Sequence, residues 1–172
     1  MLVKKYLLIG VYTMKTLIKS RSNIERLAEK PFSKGTMLIS ITDIDDQPVS
    51  LMNEPEYLIR VSFNDVDNDV IQDEIGRKPT EEERISIEKK YGMISDEQAR
   101  EIGRFYYNHK DKITTLICQC EHGQSRSAAV AAAIMEFRNR RGIEIFSHDN
   151  FYPNKVVCRK IFQALKDQIP VY

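Results

Sequence analysis

The sequence predicts an α/β domain on a central, mainly parallel sheet of about four strands, with helices on both faces. Three observations carry that prediction. Short apolar, β-branched runs alternate along the chain with segments of helical periodicity, as parallel strands require, because each crossover between them consumes a dozen or more residues. The run Lys112-Ile113-Thr114-Thr115-Leu116-Ile117-Cys118 leads through a short loop straight into an alanine-rich segment. The 172 residues are 42% hydrophobic and 30% charged, which excludes a disordered or collagen-like chain. A domain of this size buries roughly 70% of its unfolded surface and folds without disulfides, so residues 1–172 read as one domain.

Each element has its own justification. Tyr6-Leu7-Leu8-Ile9-Gly10-Val11-Tyr12 reads as a first strand. Lys4 and Lys5 ahead of it suggest a short signal sequence. However, Thr13-Met14-Lys15 offers no small-x-small cleavage site and the run is too short to span a bilayer, so core structure is expected. Residues 14–30 read as a helix ended by Pro31. Met37-Leu38-Ile39-Ser40-Ile41-Thr42 is a strand closed by an acidic turn over 43–46, and Tyr57-Leu58-Ile59-Arg60-Val61-Ser62-Phe63 is another, broken at Asn64-Asp65. Residues 70–96 are a charged insertion in which Thr80 and Glu83 have capping-box spacing. Ser95 and Gln98 repeat that spacing ahead of a helix with Ala99, Ile102, Phe105 and Tyr106 on one face. After the 112–118 strand, Ala128-Ala129-Val130-Ala131-Ala132-Ala133-Ile134-Met135 predicts a helix buried nearly all round, ending in Arg138, Arg140 and Arg141 and stopping at Gly142. A last helix starts near Asn154 and buries Val157, Cys158, Ile161, Phe162 and Leu165.

Lys plus Arg (26) nearly cancels Asp plus Glu (25), leaving a net charge of +1. No net field favours nucleic acid or an anionic membrane, so neither is expected as a partner. Three cysteines (Cys118, Cys120 and Cys158) are an odd count and no disulfide framework, which points to a reducing, cytoplasmic setting. Zinc-type spacing is missing as well, so no metal site is expected. Nothing in the pattern sets an oligomeric state.

The informative stretch is Cys120-Glu121-His122-Gly123-Gln124-Ser125-Arg126-Ser127, between a buried strand and a buried helix. A helix N-terminus presents unpaired N–H groups and partial positive charge, so a loop there can cradle a dianion such as phosphate. Gly123 permits the geometry that turns successive amides inward. Arg126 can grip two phosphate oxygens with its planar fork. The same field favours the reactive thiolate of a cysteine at its mouth, here Cys120.

The stretch 120–127 fits C-x-x-G-x-x-R-S and resembles the signature loop of cysteine-dependent protein tyrosine phosphatases. The wider resemblance, over about residues 37–165, is to the compact dual-specificity-like branch, particularly small bacterial-type tyrosine phosphatases. It implies a phosphatase fold and hydrolysis of phosphate monoesters on phosphotyrosine-containing protein or peptide, with phosphoserine and phosphothreonine left open, through a phosphocysteine and without metal or organic cofactor. In that frame Cys120 is the nucleophile, and residues 121–126 bind phosphate. Ser127, which could also cap the helix, aids thiolate departure. The strands 39–41 and 58–63 look like those leading to the family's general-acid loop, which favours Asp65 over Asp67 and Asp69 as proton donor; the alternative is a solvated acidic turn. Pro153-Asn154 is similar to a Pro-Asn segment whose Asn supports the loop backbone. Gln119 stands where the family usually has a His that organises the loop.

Alternatives stay open at this level. His122 is a rim residue or a proton relay, and Cys118 a core thiol or a redox partner of Cys120. Residues 70–96 are a solvated insertion or a lid. A non-catalytic phosphoprotein-binding relative would share the loop; a phosphatase for an inositol phosphate or an RNA 5′-phosphate is the alternative within enzymes, although such relatives often carry a Lys that this loop lacks.

Overall fold

The computed structural model describes residues 14–170, and the strand expected over 6–12 lies outside them. Four strands, β1 (Lys15–Lys19), β2 (Thr36–Thr42), β3 (Tyr57–Ser62) and β4 (Thr115–Gln119), form one sheet in the order β1-β4-β2-β3 with every pairing parallel. The predicted α/β class is the observed one. All of β2 is buried, as expected for an inner strand of a parallel sheet covered on both sides.

The helices are α1 (Arg21–Leu27), α2 (Asn68–Ile75), α3 (Glu81–Lys90), α4 (Asp96–His109), α5 (Arg126–Asn139), α6 (Ile143–Phe146) and α7 (Lys155–Lys166). Thr80 and Ser95 cap α3 and α4 with both halves of the capping box in place, as their spacing predicts. The helix predicted over 14–30 is corrected. Lys15–Lys19 pairs with Thr115–Gln119 as an edge strand, and α1 starts only after Ser20, whose side chain accepts from the Asn23 amide. Strand pairing a hundred positions away outweighs local helix propensity there. Two short helices, α2 and α6, are not among the predicted elements. The alanine-rich helix ends earlier than expected, at Asn139, with Arg140 left-handed at φ 60°.

The sheet separates two cores. Met37, Ile39, Ile41 and Cys118 face the larger one, filled by α4, α5 and α7. Gly103 of α4 lies so close to Ala164 of α7 that a Cβ would sit 3.2 Å from it. On the other face Leu38 and Ile117 meet Ile24 of α1, completed by Val49 from a connection. Cys158 and Phe162, expected in the core, are only half-buried and line a groove shared with α5 and α6.

Candidate active site

Residues 120–125 join the carboxyl end of β4 to α5, at the edge of a parallel sheet where ligands of α/β proteins characteristically bind. The loop is fastened on two sides. The Cys120 amide donates to Lys19 O (3.3 Å), the Arg21 amide to Glu121 O (3.0 Å), and the Tyr152 amide to Gln124 O (3.0 Å). Arg21 Nε also bonds Glu121 Oε2 at 2.7 Å. Gly123 has φ 70°, and a Cβ there would lie 2.6 Å from Ser20 N. Only glycine satisfies both the left-handed backbone and that approach.

The N-terminus of α5 is open. Ser125 occupies the cap position without a capping hydrogen bond, and the first turn holds no acidic residue. The Ser125 hydroxyl donates instead to Asp65 Oδ1 at 2.8 Å. The amides of the first turn therefore keep their partial positive charge for an external acceptor. Cys120 is 2% exposed and its Sγ lies 3.0 Å from Ser127 Oγ. Ser127 is inside α5, not at its cap, so its expected capping role is corrected: its hydroxyl lies against the thiol.

Arg126 is 3% exposed. Its Nη1 and Nη2 bond Asp43 Oδ1 and Oδ2 at 2.9 and 3.1 Å, and Nη1 also donates to Phe63 O at 2.8 Å. The fork expected to grip an anion with both arms is thus committed to a carboxylate, and Nε alone is without a partner. A buried, unpartnered guanidinium N–H is costly unless a ligand meets it. Sequence reading missed Asp43, taking it only as part of an acidic turn. The available signal was register: Asp43 follows β2 at the sheet edge where Cys120 follows the neighbouring β4.

Of the three acidic candidates, only Asp65 reaches the loop. Its Oδ1 accepts from Ser125 and, at 3.0 Å, from Asn154 Nδ2, while Oδ2 lies 4.0 Å from Arg126 Nε. Asp67 is occupied as the cap of α2 and accepts from the Lys155 amide at 3.3 Å. Asp69 is exposed in the first turn of that helix. The expectation for Asn154 is corrected too. It does not support the 120–125 backbone; its Nδ2 holds Asp65 and, at 3.0 Å, Val66 O, while its Oδ1 caps α7.

Gln119 is fully buried and accepts from Ser40 Oγ at 2.7 Å, leaving Nε2 unpartnered. His122 and Gln124 are exposed. Cys118 is fully buried, and burial pushes its thiol well above the usual range, the behaviour of a core residue. The insertion is anchored. Glu88 of α3 and Lys160 of α7, both nearly inaccessible, pair at 2.7 Å, with Arg84 on Glu88 and Asp96 2.8 Å from Lys160. Its end holds the residue before Asp65: the Asn64 amide donates to Gly92 O at 2.7 Å and Asn64 Nδ2 to Tyr91 O at 3.1 Å.

Among the described residues no helix is long and apolar enough to cross a membrane, and no group of three or more His, Cys, Asp or Glu could hold a metal ion. No protein-family model and no curated protein sequence matches the chain. Solved structures align with it, among them the following three. A mouse protein described as a dual specificity phosphatase, complexed with zinc tungstate, is 15% identical at a TM-score of 0.49, over 88% of this chain and 82% of that one. Tk-PTP in the active form is 13% identical at 0.43, over 92% and 95%, and PTPMT1 is 12% identical at 0.41, over 89% and 90%.

Proposed function

We propose that the chain is a cysteine-dependent phosphatase of the protein tyrosine phosphatase superfamily, hydrolysing phosphate monoesters on phosphotyrosine-containing protein. The observation that carries this reading is the unpartnered Nε of a 97% buried Arg126, set at the uncapped N-terminus of α5 beside Cys120. A buried guanidinium N–H together with free helix amides is a receptor for a dianion.

In the proposed cycle the loop amides and Arg126 Nε hold the non-bridging phosphate oxygens while Cys120 Sγ attacks phosphorus. The P–O bond to the substrate breaks as the S–P bond forms. A tyrosine phenolate has a pKa near 10 and leaves poorly without a proton, which Asp65 supplies. Asp65, now a carboxylate, takes a proton from water as that water attacks the phosphocysteine. The S–P bond breaks, inorganic phosphate forms, and the Ser127 hydroxyl donates to the departing thiolate. Asp43 acts at one remove, fixing the guanidinium so that Nε faces the cradle.

Turnover of para-nitrophenyl phosphate in EDTA and reductant, by wild type and Cys120→Ser, tests this. Wild type is expected to be active and the variant inactive; equal rates in both would overturn the cysteine mechanism. Binding of phosphopeptide without turnover by wild type would instead favour a non-catalytic binding module. Asp65→Ala is expected to lower kcat on a phosphotyrosine peptide by about a hundredfold. Its effect on para-nitrophenyl phosphate should be much smaller, because nitrophenolate leaves with less help.

A further inference from the structure

A second cavity lies on the face of the sheet away from α5. It has a volume of about 600 Å³ and lies between β1 and α1. Leu17, Phe32 and Ile117 supply apolar lining, and Lys15, Lys19, Arg26 and Lys30 surround it with positive charge against one carboxylate, Glu29. Among the described residues none of these four cations pairs with a carboxylate; Arg26 bonds only the Asn23 side-chain oxygen, at 2.9 Å. Many cations elsewhere are matched, including Arg21, Arg84, Arg126 and Lys160. The net charge of +1 thus conceals a local excess.

Of the lining residues, Lys19, at the carboxyl end of β1, lies next to the candidate active site. Lys19 O accepts from the Cys120 amide, and the Lys19–Ser20 backbone is the surface against which Gly123 is packed. From there β1 runs back to Lys15, four residue steps or roughly 13 Å at strand spacing. That length suits an extended flank of four or five residues.

We infer that this cavity docks the acidic flank of the phosphorylated polypeptide, an inference that rests on the phosphatase reading above. Charge complementarity identifies the occupant, since four unpaired cations around an apolar surface call for a segment in which carboxylates alternate with apolar side chains. A nucleic acid would need stacking surfaces, and among the described residues Phe32 is the one aromatic in the lining. The chain's own first thirteen residues carry Lys4 and Lys5 and no carboxylate, so they lack the complementary charge.

The test compares a phosphotyrosine peptide flanked on both sides by alternating Glu and Leu with its Gln-for-Glu twin. Wild type is expected to show a KM about tenfold lower for the acidic peptide at low salt, with equal kcat, and the advantage should shrink at high salt. The exposed triple variant K15E/R26E/K30E should lose the advantage yet turn over para-nitrophenyl phosphate at the wild-type rate, which also verifies its fold. An advantage that survives in the triple variant overturns the inference, as does a single-stranded oligonucleotide that displaces the acidic peptide at equal charge. Failure of wild type on para-nitrophenyl phosphate would sink the phosphatase reading alone. Docking is then read by fluorescence anisotropy of the unphosphorylated acidic peptide, where about tenfold weaker binding by the triple variant supports it and equal binding overturns it.

Discussion

Helices α3 and α5 both lack an amphipathic face, for opposite reasons. In α3 seven of ten positions are charged, and only Ile87 and Glu88 are buried. In α5 the run from Arg126 to Ile134 is buried throughout and consists mainly of alanine. Their N-termini differ in the same way. Thr80, Glu83 and two further glutamates close the start of α3 with its own side chains. The start of α5 has no acid and no side-chain cap, and the serine that could have capped it is engaged with Asp65. The difference teaches that the same backbone dipole is a stability element where the sequence fills it and a receptor where the sequence leaves it open.

The contrast can be tested from its strongest end. Arg126→Lys keeps a cation at the start of α5 but removes the planar guanidinium and its Nε. It is expected to lower kcat/KM on para-nitrophenyl phosphate by about a thousandfold, roughly 4 kcal/mol of transition-state stabilisation. A variant retaining most of its activity would show that charge alone defines the receptor.

At α3 the expected losses are in stability and not in chemistry. Glu88→Gln removes one carboxylate from a cluster in which Lys160 is 7% exposed, leaving that ammonium only the more exposed Asp96. Urea unfolding should record a loss of about 3 kcal/mol, with kcat of the folded fraction unchanged. A fall in kcat would mean that the insertion, through Asn64, also sets the position of Asp65.

The smallest effect concerns the cap of α3. The Arg77 side chain and the Thr80 amide hold the Glu83 carboxyl down from 4.5 to about 2. A carboxyl whose value is lower in the folded than in the unfolded chain binds fewer protons when folded, so its contribution is complete above about 4.5 and disappears as pH falls through about 2. Wild type should therefore melt a little higher than Glu83→Gln above pH 4.5, and the two curves should converge toward pH 2. A difference that persists at pH 2 would place the effect of Glu83 elsewhere than in its charge.

The elements legible in the sequence are those written in short-range signals. The capping boxes at Thr80 and Ser95, the 36–42 and 57–62 strands, the alanine-rich helix and the 120–127 loop all rest on residues a few positions apart. The sites of failure share a cause too. Lys15–Lys19 looks like the start of a helix until it finds β4, whose residues lie a hundred positions along. Asp65 could not be separated from Asp67 and Asp69 by pattern, because the distinction lies in which of them meets Ser125 and Asn154.

By itself, then, the sequence determined an α/β domain and a strand–loop–helix turn carrying Cys120, Gly123 and Arg126, since backbone geometry, capping and periodicity are decided within a few residues. The tertiary structure alone decided that Asp43 holds both Nη atoms of Arg126, that Asn154 serves Asp65, and that four unpaired cations gather around the cavity between β1 and α1. Each of those depends on bringing together side chains from separate elements, and only sheet register and core packing choose such neighbours.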